Sequence, residues 1–110
     1  MTFPEAADLL DHIRDAALQA SNYVEGMTKL EFDVDRRTQQ AVILNLVVIG
    51  EAATKLLDRF PDTAAQFPEV QWQAMRGMRN RIAHGYYEID LDVVWDTVID
   101  ALPDLLIKLP

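Results

Sequence analysis

The chain has 110 residues, half of them hydrophobic, a net charge of −8 and no cysteine. These values fit one compact domain over residues 1–110 and exclude disulfides and thiolate metal sites. The negative charge argues against broad, salt-driven binding of nucleic acid, because the phosphates would be repelled. The acidic amino terminus predicts no signal peptide, and no apolar run is long enough to predict a membrane span. We therefore expect a cytoplasmic protein without metal or cofactor.

The amino-terminal half predicts two long helices. Apolar residues recur at helical spacing over residues 5–25, which is typical of an amphipathic helix. Residues 27–32 are expected to form a connection. Asp33 or Asp35 then caps a second helix that extends over about residues 35–60.

The second predicted helix is apolar on every face between residues 41 and 53, and such a helix must be covered all round. One face can meet the core while another meets a second copy of the chain, which predicts a homodimer. Gly50, Ala52 and Ala53 form a small-residue zone that would allow close approach. The alternative is a central helix covered by its own neighbours. Glu51 lies in this apolar context and is expected to pair with an arginine.

The carboxy-terminal half predicts two further helices. Residues 61–68 read as a loop with a short helical turn, and a third long helix begins between residues 70 and 73. Apolar residues recur at helical spacing again from Leu91, and Pro103 is expected to end or kink that last helix. No stretch alternates as a strand would. The predicted fold is all-α, an up-and-down four-helix bundle.

Residues 76–87 concentrate the cationic, titratable and aromatic side chains of an acidic chain. They hold three of its seven arginines, one of its two histidines and two of its three tyrosines. At about 100° per residue, Met75, Met78, Ile82 and, by extrapolation, Tyr86 form the apolar sector of the third helix. Arg79 falls inside this sector and needs a carboxylate, an interface or a ligand. Glu51 is the best carboxylate by type. Asn80 and His84 are four residues apart and share another face.

A cation, an amide and an imidazole near one another suit phosphodiester transfer in RNA. Imidazole takes or gives a proton near neutral pH, and arginine stabilises the charge that develops on the phosphorane. One histidine supplies only the base or the acid, whereas a symmetric dimer supplies both. On these residues alone a structural role is equally open, with Arg79 in a buried ion pair and His84 at a helix end before Gly85.

The segment Arg79-x4-His84-x-Tyr86 resembles the signature of the HepT-like toxins of the HEPN superfamily. The resemblance covers essentially the whole chain. Its flanking elements are Phe32-x2-Asp35, Ala41-Val42, Ile49-Gly50-Glu51-Ala52, Trp72, Met78-Arg79-Asn80, Asp90, Trp95 and Leu102-Pro103.

The resemblance implies a dimeric four-helix bundle that acts as a metal-independent endoribonuclease and arrests growth. It also implies a minimal nucleotidyltransferase antitoxin as partner, which attaches AMP to the tyrosine of the motif. By this resemblance, Arg79 would stabilise the phosphorane, Asn80 would orient the phosphate or the histidine, and His84 would be the general base or acid. Tyr86 would be the modification site, where added negative charge and bulk exclude RNA.

The remaining residues of the predicted site have supporting roles. Arg76 and Arg81 are expected to contact the substrate, and Glu51 to support Arg79. Two alternatives stay open. The chain could be a non-catalytic module whose dimer cleft binds a nucleotide or the transferase, or a structural partner that gives the transferase a dimeric platform.

Overall fold

The computed structural model describes residues 4–110. Residues 1–3, part of the amino terminus that predicts no signal peptide, lie outside the described residues. The helices in chain order are α1 (Ala6–Tyr23), α2 (Lys29–Asp33), α3 (Arg36–Arg59), α4 (Pro61–Ala65), α5 (Trp72–His84), a 3₁₀ turn (Tyr86–Glu88), α6 (Leu91–Asp96), a π-helical turn (Thr97–Ala101) and α7 (Leu102–Lys108). Residues 4–110 contain no strand. The predicted all-α bundle is confirmed.

The central helix is α3, which packs most extensively against α1 and α5. Asp35 begins it: its carboxylate accepts hydrogen bonds from the Thr38 hydroxyl at 2.7 Å and the Thr38 backbone N–H at 3.1 Å. These bonds hold the pKa of Asp35 below its ordinary value. Of the two predicted caps, Asp35 is therefore the one that starts this helix.

In the described part of the chain, α3 alone is long and apolar enough to cross a membrane, with a mean hydropathy of 1.5 over its most apolar window. It is nevertheless sandwiched between α1 and α5, and Val42, Ala53 and Leu56 on it are fully enclosed. A core helix of a non-membrane protein has the same composition. We therefore interpret α3 as the core helix of this domain.

The prediction of a connection over residues 27–32 is wrong, because α2 begins within it. The Thr28 hydroxyl accepts from the Glu31 backbone N–H at 3.2 Å, and the Glu31 carboxylate accepts from the Thr28 backbone N–H at 3.0 Å. This reciprocal pair satisfies two N–H groups that a helix start leaves free. The Thr-x-x-Glu spacing in the sequence was the signal for it.

The carboxy-terminal arm (Leu91–Lys108) is helical throughout, so Pro103 does not end the helix. The Leu102 N–H donates to the Thr97 carbonyl, five residues earlier. Because proline has no N–H and crowds the carbonyl four residues before it, a wider π-helical turn immediately upstream relieves the conflict. The arm packs mainly on α1. A groove of about 330 Å³ separates it from α5.

The small-residue zone of α3 is filled by the chain itself. Ala52 and Ala53 are buried in the core. Gly50 faces α5, where a Cβ would lie 2.8 Å from the Met75 carbonyl oxygen and 3.1 Å from Arg79 Cγ. The prediction that this zone meets a second chain is therefore wrong, since the close approach is between α3 and α5.

Candidate functional site

The Arg79 guanidinium is held by two side chains of α3. Nη1 donates to Glu51 Oε1 at 2.8 Å, and Nη2 donates to Thr54 Oγ1 at 3.1 Å. These contacts form because α5 crosses α3 at Gly50, which has no side chain to keep the two helices apart. The Arg79 side chain remains 24% exposed. The expected ion pair with Glu51 is present, and the guanidinium still reaches the surface.

The other two arginines of the cluster differ in their surroundings. Arg76 Nη2 donates to Asp58 Oδ1 and, at 3.3 Å, to the Thr54 carbonyl oxygen, so Arg76 joins α5 to α3. Arg81 is exposed beside the groove between α5 and the carboxy-terminal arm. No hydrogen bond or ion pair within residues 4–110 involves its side chain. Substrate contact by Arg76 and Arg81 remains a prediction.

Asn80 and His84 are exposed and lie one turn apart on α5, as predicted. Across the described residues neither side chain makes a hydrogen bond or an ion pair. The helix ends directly after His84, where the Gly85 N–H donates to the Arg81 carbonyl at 3.0 Å. The amide and the imidazole are therefore open to a ligand.

Arg79 and His84 do not share a face of α5. Five residues at about 100° each place them about 140° apart around the helix axis. The Arg79 guanidinium also turns towards Glu51 on α3, whereas His84 lies at the helix end. A single chain therefore presents the cation and the imidazole in different directions.

Tyr86 lies in the 3₁₀ turn and does not continue α5. The extrapolation of Tyr86 onto the apolar sector of that helix is wrong, because the helix ends at His84 and Gly85 leaves helical geometry at φ −143° and ψ 41°. Tyr86 is 46% exposed and Tyr87 100% exposed. Their rings meet edge to face, with centroids 5.9 Å apart. Of these two neighbouring tyrosines, Tyr86 is the less exposed.

Thr54 is a site residue that the sequence reasoning missed. It lies three residues after Glu51 on α3, so the two side chains are neighbours on one face and both reach Arg79. The prediction that Glu51 pairs with Arg79 could have pointed to Thr54, because a residue three positions later lies on the same face of the helix. In the part of the chain that the structure describes, no three His, Asp or Glu side chains are grouped so that they could hold a metal ion.

Residues 13–109 match the sequence model of the family described as "Ribonuclease HepT-like". The chain is 35% identical over 97 residues to "Putative RNase MJ0127" of Methanocaldococcus jannaschii, covering 88% of this chain and 74% of that protein. It is 33% identical over 98 residues to "Probable ribonuclease HepT" of Thermococcus cleftensis, covering 89% and 86%. No solved structure matches.

The family match extends through almost every helix, including both helices that hold Arg79 in place. The predicted resemblance to the HepT-like family is thereby confirmed. The chain belongs to the HepT-like ribonucleases of the HEPN superfamily, a family of RNA endonucleases.

Proposed function

We propose that this ribonuclease is the toxin of a toxin–antitoxin pair, a metal-independent, cytoplasmic endoribonuclease whose site is completed in a homodimer. Its antitoxin is a minimal nucleotidyltransferase that adds AMP to Tyr86. One observation carries the proposal. The cation of the motif, Arg79, is held by side chains of α3, while Asn80 and His84, on α5 like Arg79, are exposed and make no side-chain hydrogen bond among the described residues.

The chemistry is a transfer within the RNA strand. One His84 imidazole accepts the proton of a ribose 2′-hydroxyl, and that oxygen forms a bond to the adjacent phosphorus. The bond from phosphorus to the 5′ oxygen breaks, and a second imidazole donates a proton to this leaving oxygen. Arg79 stabilises the charge that develops on the phosphorane oxygens, and Asn80 orients the phosphate. The products are a cyclic phosphate and a free 5′-hydroxyl, so no water is consumed in this step.

Two copies of the chain would provide what one copy lacks. Leu44 and Val48 are 63% and 37% exposed and lie one turn apart on α3, and Glu51 follows one turn later. Exposed apolar side chains on a core helix favour an interface with another chain. In the proposed dimer, Arg79 of one protomer and His84 of the other contribute to one site. The separation of these groups around α5 supports such a composite site.

Replacing Val48 by aspartate is expected to convert a dimer into a monomer, because a charge would be buried against the apolar strip of the second copy. Light scattering on the purified protein measures the change, from the mass of two chains to that of one. The control is Val34→Asp, since Val34 is a valine that lies outside α3, directly after the end of α2, and is 85% exposed. A Val48→Asp protein that keeps the mass of two chains would exclude this face as the interface.

Replacing Tyr86 by phenylalanine is expected to abolish AMP addition on co-expression with a minimal nucleotidyltransferase. The Tyr86 phenol oxygen would attack the α-phosphorus of ATP, pyrophosphate would leave, and the AMP would add negative charge two residues after His84. Intact-protein mass spectrometry detects the added group. Tyr87→Phe is the control and is expected to remain modified, although Tyr87 is the more exposed. Modification that persists in Tyr86→Phe and disappears in Tyr87→Phe would reassign the acceptor.

A second candidate is a non-catalytic HEPN module that binds a nucleotide or serves as a dimeric platform for the transferase. It is favoured by the ion pairs of two arginines that hold α5 to α3. Arg76 pairs with Asp58, and Arg79 pairs with Glu51. This candidate predicts AMP or ATP binding without RNA cleavage, and an Arg79→Ala protein that unfolds or becomes monomeric. A folded, dimeric Arg79→Ala protein that has lost only RNA cleavage favours the enzyme.

A further inference from the structure

We propose that Thr54 is a positioning residue for the RNA-cleaving reaction, and that its hydroxyl orients the Arg79 guanidinium towards the substrate phosphate. The inference rests on the proposed function and concerns a residue outside the Arg-x4-His-x-Tyr motif. It is carried by the hydrogen bonds that Thr54 makes within α3 and across to α5.

The Thr54 hydroxyl has only one orientation that satisfies its neighbours. Its single proton is donated to the Gly50 carbonyl oxygen, at an O–O distance of 2.8 Å. The oxygen therefore presents its lone pairs outward, where Arg79 Nη2 donates to it at 3.1 Å. This bond to the carbonyl one turn earlier also fixes the side-chain rotamer of a β-branched residue. Thr54 is thus a rigid acceptor aimed at the guanidinium.

Within residues 4–110, the Arg79 guanidinium keeps two terminal N–H groups free in this arrangement. A guanidinium carries five N–H groups. One on Nη1 is used by Glu51 and one on Nη2 by Thr54, while Nε is buried without a partner among the described residues. Each terminal nitrogen therefore keeps one further N–H on a side chain that reaches the surface. Two such groups form the fork that matches two phosphate oxygens.

Thr54 and Glu51 respond differently to an approaching phosphate. The Glu51 carboxylate is half-exposed and negatively charged, so a phosphate repels it and competes for Nη1. The Thr54 hydroxyl is neutral and keeps its contact with Nη2. The Thr54 carbonyl oxygen additionally accepts from Arg76, so Arg76 and Arg79 both contact this residue. Thr54 can therefore hold the guanidinium in place even when an approaching phosphate weakens the Glu51 contact.

The test compares Thr54→Val, which keeps the branched shape without the hydroxyl, with Thr54→Ser, which keeps the hydroxyl. Full-length dimers are assayed on a labelled single-stranded RNA with chelator present. We expect Thr54→Val to lower kcat by about ten- to a hundredfold with a small change in KM, because misplacing a group that acts in the transition state costs rate. Thr54→Ser is expected to stay within about threefold of the wild-type kcat.

The double variant with Arg79→Lys shows whether Thr54 acts through Arg79. Lysine lacks the guanidinium fork, so Thr54→Val is expected to cause no further loss of kcat in that background. The same full tenfold loss in both backgrounds would overturn the proposal, as would an active wild-type protein whose Thr54→Val variant keeps its kcat. A wild-type protein that cleaves no RNA would instead overturn the proposed function.

A measurement on the side chain itself separates orientation from general loosening of the fold. In NMR spectra of ¹⁵N-labelled protein, the terminal N–H groups of a fixed arginine rotate slowly and give resolved signals. These Arg79 signals are expected in the wild type and in Thr54→Ser and to be lost in Thr54→Val, with the backbone spectrum otherwise retained. Unchanged Arg79 signals in Thr54→Val would overturn the proposal.

Discussion

Replacing His84 by alanine is expected to lower the rate of RNA cleavage by at least about a hundredfold, the usual contribution of a general acid or base. His84 is exposed at the last position of α5, and its side chain makes no hydrogen bond within residues 4–110. The substitution therefore removes a proton carrier without removing a contact of the fold. We expect the free energy of unfolding to change by less than about 0.5 kcal/mol.

The chain offers its own control for this measurement. His12 is the other histidine, exposed on α1 and outside the cluster at residues 76–87. Initial cleavage rates of wild type, His84→Ala and His12→Ala, measured with chelator on the same RNA, should group His12→Ala with the wild type. Expression of His84→Ala should also no longer arrest growth. Cleavage at the wild-type rate by contaminant-free His84→Ala dimers would remove His84 from the mechanism.

The ion pair between Glu51 and Arg79 could be predicted from the sequence alone. Each residue places a charge in an apolar sector of its own helix, and two such charges of opposite sign predict a pair. The structure contains that pair. The prediction succeeds because it needs only helical periodicity and the cost of an isolated charge, both of which are local properties of the chain.

The partner of Gly50 and the role of Thr54 could not be predicted in the same way. Both depend on where α5 crosses α3, and the sequence does not specify a crossing point between two helices. The small residues on α3 predict close approach of a second chain, whereas at Gly50 it is α5 that approaches closely. The 3₁₀ turn after His84 also broke the extrapolation of the helical wheel to Tyr86. Helical periodicity in the sequence specifies neither the tertiary contacts between helices nor the residue at which a helix ends.

Replacing Gly50 by alanine is expected to destabilise the protein by about 2 kcal/mol net, because α3 and α5 cross closely at Gly50. A Cβ there meets Arg79 Cβ and the Met75 carbonyl oxygen, neither of which is the far end of a flexible side chain. The two helices must separate. The gain in helix propensity, about 1 kcal/mol, has the opposite sign and is smaller. A shift of this size lowers Tm by about 8 °C in a domain of this length.

Gly77→Ala is the matched control, since Gly77 lies within α5 and a Cβ there meets nothing within 4 Å. With no steric cost, the same substitution is expected to stabilise the protein by about 0.5–1 kcal/mol. Thermal unfolding should therefore shift Tm in opposite directions for the two variants. Because the separation at Gly50 also draws Arg79 away from Glu51 and Thr54, Gly50→Ala should lose RNA cleavage at temperatures where it is still folded. Equal stability of the two variants would mean that α5 does not need the close approach that holds the Arg79 guanidinium in place.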